Sequence, residues 1–168
     1  MDDQVDDKRC LSMSEVMSPE KANFAGNIHG GHLMELLDRV AYACAARYCG
    51  YYVVTLSANN ILFKAPIHVG ELVHCHATVN YVGRSSMEVG IKVVSENLAS
   101  GEQRHTNSCY FTMIAIDKEG KKASVKPLAL NTPRQEYRYQ NALLRKELNH
   151  QYQEEHLKRK AELKKNTE

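Results

Sequence analysis

The sequence predicts an α+β domain in which a curved antiparallel sheet packs around one long helix. Three observations carry this. A single apolar helical stretch, about residues 32–48, precedes a series of alternating segments. Those segments, Glu71–Val82, Ser86–Glu96 and Arg104–Ile116, are joined by turns too short for the crossover that parallel neighbours need. And 168 residues, 43% of them hydrophobic, suffice for one domain with a full core.

Residues 1–9 read as an acidic, flexible tail, and residues 10–19 as holding a short strand. Lys21–Gly31 (KANFAGNIHGG), rich in Gly and Asn, reads as a structured loop. The helix from His32 to Tyr48 carries Leu33, Leu36, Leu37, Val40, Ala41, Ala43, Cys44, Ala45 and Ala46. Its second half is apolar almost all round, as expected of a helix wrapped by other structure, and Gly50 stops it. Val53–Phe63 reads as a strand ended by Pro66. In Glu71–Val82, the residues Val73, Cys75, Ala77, Val79 and Tyr81 share one face and His74, His76, Thr78 and Asn80 the other. Gly83-Arg84-Ser85 turns the chain into Ser86–Glu96, whose apolar side is Met87, Val89, Ile91 and Val93. Ala99-Ser100-Gly101 leads to Arg104–Ile116, and Asp117–Gly120 closes the section. Residues 131–168 form a charged helical extension with a modest apolar stripe of Tyr137, Leu144, Leu148 and Tyr152.

The formal charge of +2 is uneven. Residues 134–168 carry 9 Lys+Arg against 6 Asp+Glu, which leaves the rest near neutral. No dense basic face for nucleic acid is implied. No apolar run of about 18 residues suggests a membrane span. Five cysteines without a CxxC pair read as free thiols in a reducing compartment, and the acidic N-terminus lacks a secretory h-region, so a cytoplasmic location is expected.

Several places could hold chemistry. His29 with His32, and His74 with His76, lack a third ligand at a recognisable spacing, so no metal is expected. AGNIHGG lacks the Gly-Lys-Ser/Thr ending of a P-loop. It places Gly30 and Gly31 at a helix N-terminus, where unpaired N–H groups suit a polarised carbonyl, or where glycine simply permits tight packing. Glu35 and Arg39 are spaced for an i,i+4 pair, which leaves Asp38 on the apolar helix without a helical partner. It is either a carboxylate bonded to a neighbouring strand or a general base.

KANFAGNIHGGHLMELLDRVAYACAARYCG closely resembles the helix signature of hotdog-fold acyl-CoA thioesterases, in the branch of the cytosolic (brain-type) acyl-CoA hydrolase. The resemblance continues through VVTLSANNILFKAPIHVGELV, GRSSMEVGIKVVSENLASGE and RHTNSCYFTMIAID, over roughly residues 12–120. It implies a hotdog domain over residues 10–130 that hydrolyses fatty acyl-CoA to a free acid and CoA. It needs no cofactor, since coenzyme A is part of substrate and product. It implies that Asn27 and Asp38 act together. The two are 11 residues apart, up to ~16 Å along a helix, so Asn27 of one subunit is expected to work with Asp38 of its partner across a homodimer. A trimer of dimers is expected beyond that, with neither nucleic acid nor membrane insertion.

In this reading Asp38 is the base on a water, Asn27 orients carbonyl or water, and Gly30 and Gly31 polarise the carbonyl. His29 lies beside the substrate. The phosphates of CoA meet Gly83, Arg84, Ser85 and Ser86, with Arg104 and Asn107 as further contacts; Arg84 reads equally well as a solvated hairpin residue. Asn59 stands where many relatives carry an acid. Alternative readings are a non-catalytic acyl-CoA-binding regulator on the same fold and a hydroxyacyl-CoA dehydratase.

Overall fold

The computed structural model describes residues 8–59 and 61–165, so most of the expected acidic tail lies outside the described residues. Its last residue, Arg9, belongs to the fold instead: it is buried, and its carbonyl accepts bonds from the Val79 N–H and the Cys44 thiol.

The order of elements is β1 (Cys10–Val16), a short 3-10 turn (Pro19–Lys21), α1 (Gly30–Cys49), β2 (Tyr52–Asn59), β3 (Leu72–Val82), β4 (Ser86–Glu96), β5 (Gln103–Ile116) and α2 (Pro133–Lys165). The five strands form one antiparallel sheet in the order β1-β3-β4-β5-β2. Every strand touches α1, so the sheet curves about the helix in the expected hotdog arrangement.

The helix explains the curvature. Leu33, Leu36, Leu37, Val40, Ala41, Cys44 and Ala45 are buried at i, i+3, i+4 and i+7 spacing. The last three are small, which lets the sheet close tightly over the second half of α1. Gly50 ends the helix in the left-handed conformation (φ 74°), and its N–H caps the Ala46 carbonyl. The inner face of the sheet supplies Val73, Cys75, Ala77 and Val79 from β3, Met87, Val89, Ile91 and Val93 from β4, and Cys109, Phe111 and Met113 from β5.

Three bulges adjust the simple alternation. In β3 the register shifts between Val79 and Tyr81, so Asn80 is an extra residue. Val82, not the expected Tyr81, therefore opposes Met87 and packs on the core. In β2 the shift falls between Thr55 and Ser57. That strand stops at Asn59 rather than Phe63, and beyond it the Lys64 N–H donates to the Thr106 carbonyl. In β5 the shift leaves Thr106 as the extra residue, and both Thr106 and Asn107 are buried.

The chain divides into two compact units, 1–128 and 129–168. The second holds α2, which opens on a reciprocal capping box. The Gln135 N–H donates to Thr132 Oγ1, and Gln135 Oε1 accepts from the Thr132 and Asn131 N–H groups. Pro133 stands at the first helical position, where its missing N–H costs nothing. No helix among the described residues is long and apolar enough to cross a membrane.

Candidate active site at the start of the central helix

The loop before α1 folds on itself as a small hairpin. Ala22 bridges to Ile28, the Asn23 N–H donates to the Asn27 carbonyl at 2.6 Å, and the His29 N–H donates to the Lys21 carbonyl. Asn23 organises the tip. Its Oδ1 accepts the Ala25 N–H at 2.9 Å and the Asn27 N–H at 3.2 Å, an Asx turn. Two donors on one side-chain oxygen leave the Asn23 amide nitrogen with its hydrogens to give elsewhere. Phe24, next along, stands fully in solvent.

A second segment is stitched to this hairpin. The Ile28 N–H donates to the Ile67 carbonyl at 2.8 Å, and Asn27 bridges to His68. Between the two segments lies a cavity of about 260 Å³ lined by Asn23, Asn27, Gly30 and Leu33 on one side and Phe63, Ala65, Pro66, Ile67 and Thr106 on the other. It is a largely apolar slot at the start of a 20-residue helix, with Asn23 and Asn27 in its lining. The N–H groups of Gly31, His32 and Leu33 are all bonded to His29, so among the described residues it is the Gly30 N–H, with the helix dipole, that favours a carbonyl oxygen gaining negative charge there.

The terminal N–H groups are not equivalent. His29 is the N-cap of α1, and its Nδ1 accepts the Gly31 N–H at 2.9 Å. The expected role of Gly31 as a carbonyl donor is therefore taken up internally. A Cβ on Gly31 would come within 2.9 Å of that nitrogen, so the glycine makes room for the cap. His29 itself is engaged as a cap rather than facing the cavity, and Gly30 lines the cavity directly.

Asp38 lies two turns further along α1, half-buried, and outside the cavity lining. Thr55 Oγ1 on β2 donates to its Oδ1 at 2.6 Å. The same hydroxyl lies 3.6 Å from Met113 Sδ. Thr55 was not singled out in the sequence; only the pairing of β2 against β5 turns it toward the helix. The expected Glu35–Arg39 pair is absent, because Arg39 reaches across to Glu15 at 3.4 Å and Glu35 faces His32 at 3.9 Å.

The residues expected at CoA divide into two groups at opposite ends of the sheet. Gly83, Arg84, Ser85 and Ser86 form the β3–β4 turn, with the Gly83 N–H on the Ser86 carbonyl at 2.8 Å and Arg84 exposed. An 11-residue strand, about 36 Å long, separates this turn from the cavity end. Arg104 is at the cavity end, but its guanidinium is bound by the buried Glu71 carboxylate. Asn107 is fully buried, with neither side-chain polar atom partnered among the described residues, so it cannot meet a phosphate at the surface. Asn59 pairs with Tyr110 at the end of β2. Away from the site, His74 bonds Ser14 and Glu96, and His76 bonds Ser12.

Comparison with known proteins bears on this geometry. The family model described as the thioesterase superfamily matches residues 25–102. The protein VdlD of Helicobacter pylori is 48% identical over 142 residues, covering 84% of this chain and 81% of that protein. The solved structure of a hexameric acyl-CoA thioesterase superposes with a TM-score of 0.83 at 30% identity, over 86% of this chain and 93% of that one. An acyl-CoA hydrolase from Staphylococcus aureus, solved with butyryl coenzyme A, coenzyme A and coenzyme A disulfide, superposes with a TM-score of 0.81 at 27% identity, over 88% and 90%. That hydrolase has also been solved as single alanine variants of an asparagine, an aspartate and a threonine.

Proposed function

This chain belongs to the thioesterase superfamily, and from that premise we propose that it hydrolyses acyl-CoA thioesters to a free acid and CoA. The Thr55–Asp38 bond carries the reading. In the Staphylococcus hydrolase the substituted aspartate follows the asparagine by 15 positions, and the threonine follows the aspartate by 17. Asn23, Asp38 and Thr55 keep both intervals. The acting asparagine is then Asn23 rather than the expected Asn27, which accords with the free amide that its Asx turn leaves.

The chemistry follows from the donors and acceptors. Thr55 holds Asp38 Oδ1, which leaves Oδ2 to take a proton from water. The water oxygen bonds to the thioester carbon, and the carbonyl oxygen gains charge facing the start of α1 and the Asn23 amide. Collapse re-forms the carbonyl, breaks the C–S bond and releases CoA thiolate, which takes up the proton.

The two halves of this site do not meet within one subunit. Gly30 to Asp38 spans eight helical residues, ~12 Å. A homodimer that sets the cavity of one copy against Asp38 of the other closes the gap. Strand β2, an edge of the sheet that carries Thr55 and exposes Tyr52, Val54 and Leu56, is the surface suited to it. Higher assembly, as in the hexameric relative, would bring the exposed Arg84 turn of a further copy to the CoA phosphates.

The test is thiol release from an acyl-CoA panel, C2 to C18, by the unsubstituted protein and Asp38→Ala. Hydrolysis lost in the variant supports the reading. Tight acyl-CoA binding without hydrolysis by either protein replaces it with the regulator reading.

A further inference from the structure

Glu71 is a buried acid that no step above uses. Its side chain is 6% exposed, and both carboxylate oxygens are engaged from three separate segments. Oε2 accepts the His68 N–H at 3.0 Å and the Ser95 hydroxyl at the end of β4; Oε1 accepts the Arg104 guanidinium at the start of β5. Its backbone is tied as well, since the Met17 N–H donates to the Glu71 carbonyl at 2.9 Å.

We propose that Glu71 is a positioning residue for Asn23, its carboxylate clamping the Ile67–His68 segment to which the asparagine loop is bonded. The inference rests on the thioesterase reading and deepens it. The path is continuous. Glu71 fixes His68, Asn27 bridges to His68, and Ile28 bonds Ile67. Asn27 in turn gives its carbonyl to the Asn23 N–H and its N–H to Asn23 Oδ1. Pro66 and Ile67, on the clamped segment, are also the cavity wall facing the two asparagines. A buried ion pair is by itself weak evidence of stability, because desolvation opposes the attraction. What this one supplies is direction: three donors at fixed angles allow the turn one placement.

The test is a double-mutant cycle on the purified protein, with kcat and KM measured separately. Glu71→Gln keeps the shape and removes the charge. It is expected to lower kcat roughly tenfold with KM changed less than about twofold, the pattern of a lost transition-state interaction. In an Asn23→Ala background the same substitution is expected to leave kcat unchanged, because there is no longer an amide to position. A purely structural acid would lower activity by the same factor in both backgrounds, and that result overturns the proposal. So does an unchanged kcat for the single variant. Ser95→Ala removes one donor without leaving a charge unmatched and runs the same cycle if Glu71→Gln does not fold. Absence of hydrolysis by the unsubstituted protein overturns the thioesterase reading and this inference together; hydrolysis with additive losses overturns this inference alone.

Discussion

Thr55 Oγ1 lies 2.6 Å from Asp38 Oδ1, so a hydroxyl on an edge strand holds one oxygen of the helix carboxylate and, among the described residues, leaves the other without a partner. A hydrogen bond of this kind fixes the direction in which the second oxygen points.

Asp38→Asn removes the base while keeping the size and the Thr55 contact. Hydrolysis is expected to fall by roughly 10²- to 10⁴-fold in kcat, the range of a lost general base. Steady-state thiol release measures it, and a kcat within threefold of the unsubstituted protein would remove Asp38 from the mechanism.

Thr55→Val keeps a β-branched side chain on the strand and deletes only the donor. One bond to a charged acceptor is worth about 1.5–3 kcal/mol, so kcat is expected to drop on the order of 10- to 100-fold. Thr55→Ser, which restores the hydroxyl, is expected to recover most of it. Equal losses in both variants would point to packing rather than to the hydrogen bond.

The two asparagines separate cleanly. Asn23→Ala removes both the Asx turn and the free amide, so kcat is expected to fall on the order of 10²- to 10³-fold, as for an oxyanion donor. Asn27→Ala leaves the backbone bond to Asn23 and the neighbouring Ile28–Ile67 bond in place, and less than a tenfold loss is expected from it. The reverse ranking in a side-by-side assay would restore Asn27 as the acting residue.

Acid should act on the fold through Glu71. Burial works to raise its pKa, but the His68 N–H, the Ser95 hydroxyl and Arg104 outweigh it and hold the carboxyl below its ordinary value. A group lowered in the folded state contributes its stability fully above the unfolded value of about 4.3 and loses it as pH falls through the folded value. The Tm difference between the unsubstituted protein and Glu71→Gln is therefore expected to be constant from about pH 7 to 5.5 and to shrink below about pH 4. A difference that grows on acidification would contradict the assignment.

The thiols are expected to stay silent. Burial pushes Cys44, Cys75 and Cys109 up to about 12, and Cys10 and Cys49 are half-buried. A disulfide reagent at pH 8 should modify at most two of the five in the native protein and all five after denaturation. Alkylation of the native protein should leave hydrolysis intact.

The helix and the hairpins were legible in the sequence because their signals are local: the 3.6 and 2.0 periods and the glycine turns. Asp38 stood out as a carboxylate without a helical partner, and the structure bonds it to a strand hydroxyl, one of the two readings the sequence left open. What was not legible depends on pairing across the chain. The extra residue Asn80 has no local mark, yet it exchanges Tyr81 for Val82 on the core face. Thr55 is an ordinary strand threonine until β2 is set against β5. Arg39 sits at the correct spacing for Glu35 but is drawn to Glu15, 24 positions away. Asn23 and Asn27 differ only in which one closes the turn, and hydrogen bonds rather than residue type decide that.

The sheet order also sets a sequence of events in time. Strands β3, β4 and β5 are neighbours in the chain and zip through short hairpins, whereas β1 reaches β3 across 68 residues and the Thr55–Met113 contact of β2 spans 58. Closing the long loops costs more chain entropy, so the middle strands are expected to form first and the two edges to dock afterwards. Asp38 gains its threonine only at that last docking. A refolding chain that docks β2 one residue out of register would turn Thr55 to the opposite face and bury the middle of its core without aligning the carboxylate.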